Sequence, residues 1–122
     1  MSEFWTDTDR KARKDHKCYE CHRTIAKGET YTRSAGLYDG RFWDIKRCAH
    51  CRALTGIIYR TDRDSLEETS LRDWVWEYGL SPVEMLAYPN PMQWLRWSAS
   101  FRNRWTDLHG NLRPIPSFEQ IA

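Results

Sequence analysis

The pattern of hydrophobic and polar positions gives two strand-like runs early in the chain, Glu29–Leu37 and Arg41–Arg47. The segment Tyr38-Asp39-Gly40 separates them, and Asp-Gly between two such runs is a strong hairpin signal. After the last cysteine, Arg52–Tyr59 has the pattern of a short helix, which Gly56 weakens. The first half of the chain therefore predicts an antiparallel hairpin followed by a short helix.

Helical periodicity replaces the strand pattern from about residue 61 onward. A capping box at Ser65-Leu-Glu-Glu68 starts a predicted helix, and Gly79 ends it. Ser81-Pro82-Val83-Glu84 starts a second, very short helix that ends before Pro89. The first of these helices has an apolar face with spacing i, i+3, i+4, i+7, formed by Leu71, Trp74, Val75 and Tyr78.

A third helix is predicted from Pro91 to about Trp105, capped by Asn90, with an irregular, extended tail over His109–Ala122. At 100° per residue, four of its aromatic residues fall within an arc of about 80°. This set, the aromatic stripe, comprises Trp94, Trp97, Phe101 and Trp105. A second apolar set on the opposite side comprises Met92, Leu95 and Ala99. A surface helix usually has one apolar stripe, so this helix is either enclosed by the protein itself or in contact with a partner.

Trp76 supports the same interpretation, because it projects away from the apolar face of its own helix. The chain has 122 residues and seven tryptophans, and a chain of this length builds only one modest core. Large aromatic side chains dominate both cores and interfaces. The candidate partner-binding residues are therefore Trp76 and the aromatic stripe, with a core role as the competing interpretation.

Four cysteines in two close pairs carry the clearest chemistry. Cys18-Tyr-Glu-Cys21 and Cys48-Ala-His-Cys51 are CxxC motifs on either side of the predicted hairpin. Each CxxC turn places two sulfurs on one side of a tight knuckle, and two knuckles complete a tetrahedron of thiolates. The spacing predicts one structural zinc ion with Cys18, Cys21, Cys48 and Cys51 as ligands.

The rival interpretations of the cysteines are disulfides, a redox CxxC and an iron–sulfur cluster. Residues 1–17 are charged throughout and resemble no signal peptide, and no run approaches the length of a membrane span. We therefore expect a cytoplasmic protein with no membrane association, and in that compartment paired cysteines favour metal over disulfides. A redox CxxC would not need a second pair.

Charge is distributed unevenly around a formal net value of +2. Residues 1–60 carry 13 Lys/Arg against 8 Asp/Glu, a balance of +5, while residues 61–90 carry 2 against 7, a balance of −5. Four thiolates and one zinc ion add −2, which leaves the metal-loaded protein close to neutral. An alternative nucleic-acid-binding surface, the basic knuckle face, comprises Arg23, Lys46, Arg47 and Arg52. These cations otherwise serve to offset the charge of the metal centre.

The predicted order of elements is a knuckle, a hairpin, a second CxxC motif and a helix. This order resembles that of a treble-clef zinc finger. The run CYECHRTIAKGETYTRSAGLYDGRFWDIKRCAHC further resembles small zinc-binding proteins of unassigned role encoded by bacteriophages and prophages. The resemblance covers residues 12–55 or so. It implies the four cysteine ligands and a fold, and it implies no activity.

The sequence thus predicts an α+β fold with two parts. Residues 1–60 form a treble-clef-like zinc module with two knuckles, a β-hairpin and a short helix, and residues 61–122 form a small three-helix, Trp-rich part packed on it. We expect no enzymatic activity and no small-molecule substrate, since four protein ligands leave the zinc no open position. The leading expectation is a phage- or prophage-encoded binding protein that engages a host protein or defence component. The alternative is a nucleic-acid-binding zinc finger.

Overall fold

The computed structural model describes residues 4–61, Leu71 and residues 88–121. Within these ranges the elements follow in the order β1 (Phe4–Lys11), β2 (His16–Lys17), β3 (Thr24–Ile25), β4 (Thr30–Tyr38), β5 (Arg41–Cys48), α1 (Ala49–Thr61), α2 (Pro91–Arg102) and a 3-10 helix (Phe118–Gln120). The mixed α+β class is confirmed. The predicted helix starts at Ser65 and Ser81, together with Trp74, Trp76 and Tyr78, lie outside the described residues.

The predicted hairpin is formed by β4 and β5, which pair antiparallel from Tyr31↔Cys48 to Tyr38↔Arg41. Its two turn residues, Asp39 and Gly40, have φ angles of 49° and 75°. Two consecutive positive φ values define the tight hairpin turn that Asp-Gly favours, because its twist matches that of the strands. The hairpin prediction is therefore confirmed.

Strand β1 was not predicted, and it pairs with β4 along its whole length, from Phe4↔Leu37 to Lys11↔Thr30. The sheet order is β1-β4-β5. Polar pairs connect the two strands: Ser34 Oγ donates to Asp7 Oδ1 at 2.6 Å, and Thr32 Oγ1 donates to Asp9 Oδ1 at 2.8 Å. Both hydroxyl residues are buried. Charged side chains thus satisfy buried hydroxyls, which explains how so polar a segment forms a strand.

The chain divides into two compact units, unit 1 (Met1–Ala49) and unit 2 (His50–Ala122). The predicted division at residue 60 stays a prediction. Buried apolar side chains of unit 1, besides its cysteines, are Ala12, Ile25, Tyr31 and Ala35. Those of unit 2, besides Cys51, are Leu54, Ile57, Ile58, Leu71, Trp94, Trp97, Phe101, Trp105 and Ile121.

Helix α1 begins at Ala49 rather than after the second CxxC pair, and it therefore includes Cys51 in its first turn. The two helices α1 and α2 contain 13 and 12 residues. A membrane-spanning helix needs about 20. No helix in the described ranges combines the length and the apolar character that crossing a bilayer requires.

Helix α2 begins at Pro91 after the N-cap Asn90, as predicted, but it ends earlier than predicted. Asn90 is the N-cap residue, but its side chain makes no capping hydrogen bond and Nδ2 donates instead to the Gln120 carbonyl at 2.9 Å. The helix ends at Arg102, because Arg104 and Trp105 adopt positive φ angles of 56° and 60°. A left-handed conformation is rare for a residue as bulky as Trp, so the burial of Trp105 determines where the helix stops.

The segment after α2 is more ordered than an extended tail. Thr106 and Leu112 form an isolated antiparallel bridge. Ser117 and Gln120 form a reciprocal capping box around the 3-10 helix. The irregular tail predicted from His109 onward is thus interrupted by the bridge at Leu112 and by the 3-10 helix, while residues 113–117 have no regular secondary structure.

Candidate metal centre

The first CxxC pair forms a tight turn between β2 and β3. The backbone N–H of Cys18 donates to the Arg23 carbonyl at 2.8 Å, and the N–H of His22 donates to the Cys18 carbonyl at 3.0 Å. His22 closes the turn with a φ of 62°, a left-handed conformation for which His is several-fold enriched among non-glycine residues. This backbone places the side chains of Cys18 and Cys21 close together.

The second pair lies where β5 leads into α1. Cys48 ends the strand and Cys51 follows in the first helical turn. The Tyr19 N–H donates to the Lys46 carbonyl at 2.8 Å, which joins the first turn to β5. The Cys48 N–H then donates to Cys18 Sγ at 3.3 Å. The hairpin therefore returns the chain to the first pair.

The four cysteine sulfurs all lie within 4.8 Å of one another, and each residue is buried. Cys21 Sγ and Cys48 Sγ are 3.8 Å apart. A tetrahedral ion with metal–sulfur bonds of about 2.3 Å separates its ligand sulfurs by about 3.8 Å. None of the four is in a disulfide. The group fits one tetrahedral metal ion, as the spacing of the two motifs predicted.

One sulfur has a hydrogen-bond donor from a distant part of the chain. The indole Nε1–H of Trp105 donates to Cys51 Sγ at 3.3 Å, and Trp105 is 1% exposed. The ring of His50 lies 5.4 Å from the Trp105 ring, and its Nε2–H donates to the carbonyl of Arg113. The sequence contains no signal for this contact, because 54 residues separate Trp105 from Cys51.

Arg23 is a buried cation of unit 1 that interacts with Cys48. It is 7% exposed, and its Nη1 donates to both carboxylate oxygens of Glu29 at 3.1 Å. Burial by itself lowers the pKa of Arg23, but the neighbouring charges of Cys48 and Glu29 raise it above the ordinary value. Cys48 contributes to this rise through its charge and through a side-chain hydrogen bond with Arg23. Arg23 therefore offsets part of the negative charge of a thiolate-bound metal.

The basic knuckle face is only partly on the surface. Arg23 is bound to Glu29, and Arg47 Nε lies 3.7 Å from an oxygen of the buried Glu20. Lys46 and Arg52 are half-buried. Two of these four cations therefore stabilise unit 1 internally, and the nucleic-acid-binding role of the set stays a prediction.

The aromatic stripe is buried within unit 2. The exposed fractions of Trp94, Trp97, Phe101 and Trp105 are 0%, 5%, 3% and 1%. Trp94 and Trp97 pack edge to face with ring centroids 5.2 Å apart, and Trp94 Nε1 donates to the Pro89 carbonyl at 2.9 Å. These side chains form the core of unit 2 in this structure. Their role in partner binding stays a prediction.

Among the described residues, the most exposed large apolar side chain lies on the loop after α2. Leu108 is 100% exposed, and Leu112 and Ile115 are 46% and 51% exposed. The loop is held by Asp107, whose Oδ1 accepts the backbone N–H groups of His109 and Asn111 at 2.8 Å and 2.9 Å. Sequence reasoning missed this loop, although an Asp followed by Gly and Asn is a recognised turn signal.

The hydrogen bond from the Asn111 N–H, followed by that from His109, lowers the pKa of Asp107 below its ordinary value. The bonds favour the charged carboxylate, so their contribution is complete above the ordinary Asp pKa of about 3.9. It is lost as the pH falls through the lower, folded-state pKa. The loop is therefore fully held at neutral pH.

Comparison of the chain with models of protein families, with curated proteins and with solved structures gives no match. The function proposed below rests on the chemistry of the described residues.

Proposed function

We propose that this chain is a non-enzymatic binding protein whose fold depends on one structural zinc ion held by Cys18, Cys21, Cys48 and Cys51. The observation that carries the proposal is the convergence of four buried cysteine sulfurs within 4.8 Å. Zinc prefers four thiolates in tetrahedral geometry in structural sites. A tetrahedron of this size encloses a single ion, whereas a cluster of several irons holds its ligand sulfurs farther apart.

A complete set of four protein ligands favours a structural over a catalytic role. A catalytic zinc site keeps one position for water or substrate. Here the ligands are buried, and backbone and indole N–H groups point at the sulfurs of Cys18 and Cys51. The further proposals of a treble-clef-like module, a phage or prophage origin and a cytoplasmic host environment rest on the resemblance of residues 12–55 alone.

The proposed partner is a protein with an apolar pocket, such as a host protein or defence component. Support comes from Leu108, which is fully exposed at the tip of a loop that Asp107 holds in place. A preordered loop loses little conformational freedom on binding, so more of the contact energy appears as affinity. The surface therefore differs from the one predicted from sequence, because the aromatic stripe is buried.

The test is affinity capture from bacterial lysate, with and without nuclease treatment, with the wild-type protein and two single variants. Leu108→Ser removes the loop-tip side chain, and Met92→Ser is the matched control, since Met92 is 59% exposed on α2. Burying one Leu contributes about 1.5–3 kcal/mol, which corresponds to a loss of about 10- to 100-fold in affinity. We expect proteins captured by the wild type to be retained by Met92→Ser and lost with Leu108→Ser.

Two other outcomes contradict the protein-binding proposal. Capture that disappears after nuclease treatment indicates a nucleic-acid partner. Equal capture by Leu108→Ser and Met92→Ser shows that the loop tip is not the contact. Asp107→Ala provides a second check, because it leaves Leu108 in the sequence but removes the acceptor that holds the loop, and it should weaken capture as well.

A further inference from the structure

A groove lined by cations lies in unit 1, and none of its lining residues belongs to the basic knuckle face. It has a volume of about 950 Å³ and is lined by Arg10, Lys11, Ala12, Arg13, Lys14, His16 and Tyr31. We call it the basic groove. Ligand pockets usually have volumes of about 300–1,000 Å³, so this groove is larger than a single phosphate needs.

The four cations of the groove, Arg10, Lys11, Arg13 and Lys14, are all exposed. In the part of the chain that the structure describes, none of the four forms an ion pair. Other arginines of unit 1 do have carboxylate partners, as Arg23 has Glu29 and Arg33 has Asp44. The positive charge of the groove is therefore not neutralised from within, and it is available to an anionic ligand.

The groove has a firm backbone frame. The N–H of Ala12 donates to the Glu29 carbonyl at 2.8 Å, and the Ala12 carbonyl accepts the N–H of Gly28 at 2.9 Å. Arg10 lies opposite Tyr31 in the β1–β4 register. The ring of His16 packs on that of Tyr31 with centroids 5.2 Å apart, and Tyr31 is buried. The cations thus project from a fixed strand end and a pinned bend.

We propose that the basic groove binds the phosphodiester backbone of nucleic acid. Several unpaired cations on a short, rigid segment match the repeated charge of a polymer better than one isolated anion. The apolar lining is buried: Ala12 is 4% exposed and Tyr31 6%. The groove therefore has no exposed apolar side chain to enter a lipid surface and no free aromatic face for base stacking. Binding uses phosphate contacts and is insensitive to base sequence.

This site differs from the proposed protein-binding loop in residues, unit and ligand. The nucleic-acid-binding inference can therefore be confirmed or contradicted independently of the proposed function. It also differs from the basic knuckle face, two of whose members are bound to carboxylates. Because the metal-loaded chain is close to neutral, the local charge of the groove and not the net charge of the protein governs binding.

The test measures binding of a fluorescently labelled 30-nucleotide single strand, and of the matching duplex, to zinc-loaded protein at several salt concentrations. Four phosphate contacts give a slope of log K against log salt of about −2.8 for single strands and −3.6 for duplex DNA. Between 50 and 200 mM salt, affinity for the single strand should then fall about 50-fold. The two arms decide which form of nucleic acid the groove prefers.

The variant Arg13→Gln with Lys14→Gln removes two charges at an exposed bend, and neither side chain is hydrogen-bonded to another residue that the structure describes. The matched control is Arg96→Gln with Arg104→Gln, two exposed residues of unit 2 with the same charge change. We expect the groove variant to reduce the single-strand slope by about 1.4 and the control to leave it unchanged. Unchanged zinc content and circular dichroism establish that both variants are folded.

Three results would overturn the proposal. In the first, neither the single strand nor the duplex binds to the protein at 50 mM salt. In the second, the groove variant and the control variant weaken binding equally, which would show that binding depends on net charge alone. The third is retention on vesicles of anionic phospholipid through Arg13 and Lys14 without oligonucleotide binding, which assigns the groove to a membrane surface.

Discussion

The indole N–H of Trp105 donates a hydrogen bond to Cys51 Sγ, with 3.3 Å between nitrogen and sulfur. Trp105 adopts a left-handed backbone with φ of 60° to make this contact. Such a conformation costs roughly 1–3 kcal/mol for a residue other than glycine. Burial of the indole and the bond to a ligand sulfur offset this cost. Trp105 is thus part of the hydrogen-bonded surroundings of the candidate metal centre.

Replacing Trp105 by Phe should lower zinc affinity by about 10- to 100-fold, the usual effect of removing a partner of a metal ligand. The phenyl ring keeps much of the buried volume but cannot donate to the sulfur. Competition with a chromophoric chelator measures the affinity. Trp94→Phe is the matched control, because Trp94 donates its indole N–H to the Pro89 carbonyl instead. Equal losses in the two variants would show that the Trp105 bond does not tune the metal.

Arg23→Met should reduce the free energy of unfolding of the zinc-loaded protein by about 1.5–3 kcal/mol, the range for a hydrogen bond to a charged group. The change removes the cation beside Cys48 and Glu29. Urea unfolding followed by circular dichroism in zinc-containing buffer measures it. Arg33→Met is the control, since its partner Asp44 is exposed and such a pair contributes about 0–1 kcal/mol. If the two losses are equal, Arg23 does not compensate the metal centre.

Trp97→Ala should lower the stability of unit 2 by about 3–5 kcal/mol, as expected when a large aromatic side chain is removed from a core. Trp97 is 5% exposed and packs on Trp94. Thermal unfolding measures the effect, with Met92→Ala as an exposed control that should change stability by less than about 0.5 kcal/mol. A stable Trp97→Ala variant that loses a protein partner would instead assign Trp97 to an interface.

Local signals in the sequence predicted the parts of the fold that local chemistry determines. Asp39-Gly40 sets the hairpin turn through positive φ angles, and the two CxxC motifs supply the four cysteines that converge on one candidate metal site. Strand β1 escaped prediction because its pairing with β4 depends on distant contacts, including buried hydrogen bonds to Asp7 and Asp9. A charged strand of this kind has no apolar periodicity to detect.

The sequence could not predict which residues surround the candidate metal site or which residues form the candidate binding surfaces, for a related reason. The contact of Trp105 with Cys51 joins positions far apart in the chain. Helical periodicity placed Trp105 at the end of the predicted third helix, whereas α2 ends at Arg102. Periodicity identified the aromatic stripe correctly as one face, but it could not decide between core and interface. That decision depends on what covers the face, and all four side chains are buried in this structure.

The central claim is that the four cysteines bind one zinc ion on which folding depends. Structural zinc contributes about 10–16 kcal/mol in small finger peptides, compared with about 5–15 kcal/mol for the stability of a whole domain. Cys48→Ser should therefore lose the metal and unfold unit 1, as should treatment with a strong chelator.

The most direct measurement is native mass spectrometry of the purified protein, combined with elemental analysis of the same sample. The account predicts a mass increment of one zinc ion per chain, less the protons that the thiols release, and the increment disappears in Cys48→Ser. A chain that folds with no metal, with iron in place of zinc, or with its cysteines in disulfides would contradict the account.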